Sequence, residues 1–205
     1  MDRLRRPFRI IRADRRAYLL VNLLVYGAFL LGMALGVLFP GLYAARTASF
    51  AGGSQGALVN AVVGNGWLFA VVIFVVNVFP TALLLITLPS MVVPFVGLVV
   101  FAVKAIDLGI TLAPVDRTIG LTLIPHSLTL LIEFQAYALV MFGAYLLGRS
   151  WLRPATVEAA THRQGYRRGL QLLAPLWLPA LALFVIGAAY EVFEIYFLVP
   201  RVLGV

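Results

Sequence analysis

Five long apolar stretches alternate along the chain with short segments where polar residues cluster. They lie at about residues 17–39, 67–88, 90–114, 121–148 and 171–199. Each is close to or above the ~20 apolar residues that a helix needs to cross a bilayer. The pattern predicts an all-α fold, a polytopic membrane helical bundle of about five transmembrane helices within one integral membrane domain, 1–205. The first stretch stops at Pro40-Gly41 and carries Gly27, Gly32 and Gly36. Small residues at such spacing let helices approach closely, either within the bundle or between copies of the chain. Residues 40–66, rich in Gly, Ala, Ser and Asn, suit an outer loop with a short surface helix. Asn77, Pro80, Pro89 and Pro94 interrupt the next two stretches, so the bundle is expected to be kinked or broken around 77–96. A tight hairpin of two full spans and a re-entrant pair both fit this short link, and the hairpin is favoured. Pro125 falls where the first turn of the fourth helix is expected, a position that tolerates proline. Residues 149–170 read as a loop, with 155–168 able to form an amphipathic helix on the membrane surface.

Composition identifies the solvent. The chain is 62% hydrophobic and 12% charged, against roughly 45–50% and 25% in soluble domains. Too little polar surface remains to face water, so lipid surrounds most of the chain. The net charge of +8 does not point to nucleic acid, because twelve of the sixteen Lys and Arg fall in 1–16 and 149–170. That clustering predicts cytoplasmic flanks, a cytoplasmic N-terminus and an outside C-terminus in the cell membrane. Segment 1–16 is expected to meet anionic lipid at the cytoplasmic face, as an anchor or as a short amphipathic helix that docks a partner. Arg15-Arg16 faintly resembles a twin-arginine export signal, but no convincing cleavage site ends the apolar run. It reads as a retained signal anchor.

Polar residues inside the spans are the candidate chemistry. Asn77, Lys104, Asp107, His126, Glu133, Glu191 and Glu194 all fall within apolar stretches. A lone charge at mid-membrane costs about 2.5–3.5 kcal/mol on insertion scales. At ~1.5 Å per residue, the expected topology puts these groups in the outer half of the bilayer. They are expected to meet there in the bundle interior. Lys104 and Asp107 are spaced to neutralise one another on one helix face. Glu133 and Glu191 are expected to pair with Lys104 or His126. The cluster reads either as structural glue or as the lining of a proton, ion or substrate path. No HExxH, GxSxG, Walker loop or Cys-His set is present, so neither an enzyme, a cofactor nor a metal site is expected.

Pro125-His126, Glu133-Phe-Gln-Ala136, Gly143, Gly148 and the final Ile186-Gly-Ala-Ala-Tyr-Glu191-Val-Phe193 carry a resemblance. Together with the Asn77 region, these segments resemble the stage II sporulation protein M family of integral membrane proteins, over about residues 15–200. Ser127 stands where that family has Gly, and Glu133 lies farther from His126 than the family spacing. The resemblance implies a five- or six-span membrane component; in endospore formers the namesake anchors cell-wall hydrolases during engulfment. The expected function is a non-enzymatic membrane scaffold or assembly protein, as a homo-oligomer or with membrane protein partners. The alternatives are a small transporter or channel subunit that uses the Glu/Lys/His cluster and an accessory subunit of a larger membrane complex.

Overall fold

The computed structural model describes residues 2–204, and the side chains of these except 2–4 and 55. Of the expected basic arm and outer tail, Met1 and Val205 lie outside the described residues. Eight helices carry the fold: α1 Asp2–Ala13, α2 Arg15–Leu38, α3 Pro40–Gly52, α4 Ser54–Val62, α5 Gly66–Val92, α6 Val96–Thr111, α7 Arg117–Leu152 and α8 His162–Leu203. Four of them, α2, α5, α7 and α8, are long and apolar enough to cross a membrane. The described residues thus form an all-α bundle of the membrane-spanning kind.

The central rod is α7. Its apolar window is 67% buried, against 33%, 28% and 33% for α2, α5 and α8. Residues 136–144 are buried all round, the mark of a helix surrounded by others. Alternation of Ala136, Ala138, Gly143 and Ala144 with Leu139, Met141 and Phe142 lets neighbours close in on every side. Helix α8 packs along α7 most extensively, and α2, α5 and α6 cover the rest. Helix starts are capped by sequence: Asp14, Asn65, Asp116 and Thr161 each accept a backbone N–H from the first turn of α2, α5, α7 and α8.

The break expected within 77–96 is found at the far end of that stretch, and the part before it is continuous helix. Residues 77–87 widen into a π-helical coil that contains Pro80, and Pro89 enters the first turn of the α-helical ending. The wider coil carries a proline without ending the rod. The break comes later, at 93–95. Val93 before Pro94 is extended, as the proline ring requires. Phe95 then adopts φ +67°, an uncommon conformation for a bulky residue. Its ring lies against the Cα of Gly148 and beside Tyr145, with ring centroids 5.9 Å apart, which holds the turn shut. The Ser90 hydroxyl accepts the Gly97 N–H at 3.0 Å and serves the first turn of α6. Because α5 absorbs residues 89–92, α6 keeps only 16 residues, ~24 Å of helix. The expected 90–114 span is therefore shorter than a full hydrocarbon thickness needs. It runs antiparallel to α5 and parallel to α2, from the level of Tyr145 to that of Gly36. The chain turns back tightly here, but of the two helices only α5 is long and apolar enough to cross a membrane.

Other expectations shift. Residues 40–62 are mostly helical rather than an open loop. No separate amphipathic helix occupies 155–168: a short turn, Pro154–Val157, leads directly into α8, which begins at His162. The Thr161 cap and the close approach of Gly165 to the Ser150 carbonyl start that helix early. Among the glycines of α2, Gly32 and Gly36 face α6 inside the bundle. A Cβ on Gly32 would stand 2.1 Å from the Ile106 carbonyl oxygen, and one on Gly36 2.5 Å from the Ala113 Cβ. Gly109 of α6 returns the contact onto the Phe29 carbonyl. A Cβ on the exposed Gly27 would meet no atom of the described residues within 4 Å, so Gly27 does not pack against another helix of the same bundle. It sits on the neighbouring face of the helix.

Gly32→Leu should therefore lower stability by about 1–3 kcal/mol through overpacking, while Gly27→Leu leaves it nearly unchanged. Thermal unfolding of the purified full chain in detergent reads both, and equal losses would show that α2 and α6 do not meet through Gly32.

Candidate functional site

The polar residues of the spans sort onto three faces of the bundle, with α7 supplying the centre of two tiers and of a third network. In the upper tier, Glu194 is 1% exposed at the start of a π-helical turn of α8. One of its carboxylate oxygens meets His126 Nδ1 of α7. The other accepts the Thr129 hydroxyl at 2.7 Å, also from α7. The widened turn swings Glu194 inward, so the acid is spent on bonds to the central helix. Tyr190 adds an O–H···O bond to the Pro125 carbonyl at 3.3 Å. Pro125 stands inside α7 rather than in the first turn where it was expected, because that helix already begins at Arg117.

About two helical turns along α7, ~10 Å lower at 1.5 Å per residue, Glu133 forms the second tier. The Asn77 amide of α5 donates to Glu133 Oε1, and the Tyr137 hydroxyl donates to Asn77 Oδ1 at 2.7 Å. Glu133 and Tyr137 are one turn apart on α7, so both reach the same Asn77. Tyr137 is held between the Phe101 and Phe184 rings, at centroid distances of 4.6 and 4.9 Å. On α8, Gly187 leaves room for the Glu133 side chain: a Cβ there would be 3.0 Å from Glu133 Cγ. One turn after Asn77, Thr81 Oγ1 accepts from Lys104 Nζ of α6 at 3.0 Å. Glu191 lies within electrostatic range of Glu133, His126 and Glu194. It makes no hydrogen bond among the described residues.

The third network lies on the α2 face of α7. Gln135 Nε2 donates to Asn22 Oδ1 at 2.6 Å and to the Tyr26 hydroxyl at 3.0 Å, and its Oε1 accepts from Tyr18 at 2.8 Å. Tyr26 also donates to the Leu131 carbonyl at 3.2 Å. These four side chains are absent from the charge-based reading of the spans. A signal for them does exist: Tyr18, Asn22 and Tyr26 recur every four residues and so share one face of α2.

The structure thus joins Asn77 with Glu133, and His126 with Glu194, and sets Lys104 one turn away on Thr81. Two expected pairings are corrected. Lys104 and Asp107 stay within electrostatic range but do not form a direct pair: Lys104 turns inward to Thr81, whereas Asp107 forms an ion pair with Arg46 of α3 at 3.0 Å. The two partners are 50% and 47% exposed, so Asp107 belongs to the outer rim, beside a cavity of 280 Å³, and not to the interior cluster. Glu133 pairs with Asn77 rather than with His126, which lies in the other tier along α7, or with Lys104, which is held by Thr81 one turn from Asn77. His162 lies at the other end of the bundle, with Nδ1 at 2.7 Å from the Trp151 carbonyl. Among the described residues no group of three or more His, Cys, Asp or Glu is placed to hold a metal ion.

The class defined by this fold is a polytopic α-helical bundle with membrane-spanning helices and an internal network of ionisable and amide side chains. No protein-family model matches the chain, and no curated protein and no solved structure matches it.

A double-mutant cycle separates the interior contacts from the rim. Asn77→Ala against Glu133→Ala should give a coupling of about 0.6–1.7 kcal/mol, as for buried polar pairs in membrane helices. Arg46→Ala against Asp107→Ala should give about 0.2–1 kcal/mol, and only that pair should lose its coupling at ~1 M salt. Unfolding in detergent at two salt concentrations measures both; a salt-sensitive Asn77–Glu133 coupling would place that pair in water.

Proposed function

We propose that the protein is a non-enzymatic integral membrane scaffold that assembles with itself or holds membrane protein partners. One observation carries this reading: apart from Glu191, the charged and amide side chains clustered in the span interiors are used for bonds between helices. His126 and Thr129 take Glu194, Asn77 takes Glu133, Thr81 takes Lys104, and Gln135 takes three partners on α2. A group that conducts ions or protons must exchange partners with its cargo. Groups already matched across helices instead specify one packing and resist sliding, since an unpaired alternative in lipid costs several kcal/mol. Two cavities among the described residues lie away from both tiers, one at the Arg-rich end and one at the Arg46–Asp107 rim.

The resemblance of Pro125-His126, Glu133-Phe-Gln-Ala136 and Glu191-Val-Phe193 to the stage II sporulation protein M family supports the same class of role. In this reading the Arg-rich end faces the cytoplasm of the cell, as the charge bias favours. The four long apolar helices then hold the chain in the cell membrane as a multi-pass protein.

The test is reconstitution. Full chain in liposomes under a proton or potassium gradient should give flux no greater than protein-free liposomes. Native mass spectrometry from mild detergent should give a homo-oligomer or a complex of defined stoichiometry. Glu133→Gln and Glu194→Gln should lower thermal stability without changing flux. Flux abolished by Glu133→Gln at unchanged stability would overturn the scaffold reading in favour of a transporter or channel subunit.

A further inference from the structure

At the Arg-rich end of the bundle, α1 lies across the start of α8 and the end of α7. Arg6 donates to the Gln171 carbonyl at 3.1 Å, and Pro7 and Ile10 are buried beneath the helix. Between these three helices opens a cavity of 630 Å³, a size suited to a small organic ligand or headgroup. Arg6, Arg9 and Arg149 line its polar side, and Ile10, Leu146 and Leu172 line its apolar side. The one acid in the lining, Asp14, is already engaged twice. Its carboxylate accepts the Ala17 N–H at 3.3 Å as the cap of α2 and takes the guanidinium of Arg149. The cavity therefore keeps a net positive lining, with Arg6 exposed and only one of its N–H groups directed to Gln171.

Its level in the bundle is also informative. Gln171 is where the apolar part of α8 begins, Arg149 is where that of α7 ends, and Asp14 is where α2 starts. A site at the boundary between apolar and charged segments of three helices stands where lipid phosphates lie. We propose that this cavity binds the phosphate headgroup of an anionic glycerophospholipid, with Arg6 and Arg9 on the phosphate and Ile10, Leu146 and Leu172 against the glycerol and upper acyl chains. Guanidinium groups suit this partner because their fork of donors matches phosphate oxygens. The apolar half of the lining favours a lipid over a soluble phosphate, which would leave those side chains uncovered. The proposal does not rest on the scaffold reading, since a transporter would present the same cavity.

The experiment uses the full chain in detergent, titrated with phosphatidylglycerol or with phosphatidylcholine, and native mass spectrometry counts the lipid retained. Phosphatidylglycerol should bind at least tenfold more tightly than phosphatidylcholine. Arg6→Ala combined with Arg9→Ala should remove that preference, whereas Arg163→Ala with Arg167→Ala, both exposed and outside the cavity, should keep it. Where the first pair fails to fold, Arg9→Gln alone retains the Arg6–Gln171 bond and should weaken binding at least threefold. Equal losses in both double variants would reduce the effect to general surface charge and overturn the site. So would unchanged binding in the Arg6/Arg9 variants. Inorganic phosphate displacing the lipid at equal concentration would assign the cavity to a soluble anion and overturn the lipid.

Discussion

A polar group inside a bilayer has no water to fall back on, and this bundle is organised by how it meets that demand. Helix α7 answers it on several faces at once. His126 and Thr129 take Glu194 from α8, Glu133 and Tyr137 share Asn77 from α5, and Gln135 collects Tyr18, Asn22 and Tyr26 from α2. Each bond costs little once the helices are side by side, and each is lost if one helix slides or turns. Apolar packing alone does not supply that discrimination, because lipid tails are as apolar as the side chains they replace.

Close approach is what makes these bonds possible. Small residues bring backbones together where long side chains would hold them apart, as at Gly32 against Ile106 and Gly109 against Phe29. The polar networks and the glycine contacts are therefore complementary. Glycines set how near α2 and α6 come, and the α7 networks set register and rotation. The Phe95 turn shows the same coupling on a smaller scale: a strained backbone is kept because its ring finds room over Gly148.

The two ends of the bundle differ in chemistry. One end gathers arginines from α1, α7 and α8 around the Asp14–Arg149 pair and a cavity with mixed lining. The other carries the exposed Arg46–Asp107 pair and the short helices α3 and α4. The two buried tiers lie between them. An asymmetric bundle of this kind has one end suited to charged headgroups and a middle committed to its own packing.

Hydropathy read along the chain was enough to establish a helical membrane bundle, the approximate bounds of its long helices and the unusual residues within them. Those properties are local, since twenty apolar residues need a helix in lipid whatever surrounds them. Pairing was not local. Lys104 and Asp107 share a helix, yet one turns to Thr81 and the other to Arg46, because α5 and α3 pass on different sides of α6. Glu133 and His126, two turns apart on one helix, were expected to join one interior cluster, but they sit in separate tiers with separate partners, Asn77 and Glu194. Of the three prolines that marked a kink or break within 77–96, Pro80 and Pro89 are carried inside α5 and only Pro94 ends the rod, beside Phe95. The neutral network around Gln135 escaped a reading based on charge, although its spacing was in plain view. What tertiary structure alone decided was which face of each helix meets which neighbour, since a side chain's partner depends on helix rotation and offset that no single segment encodes.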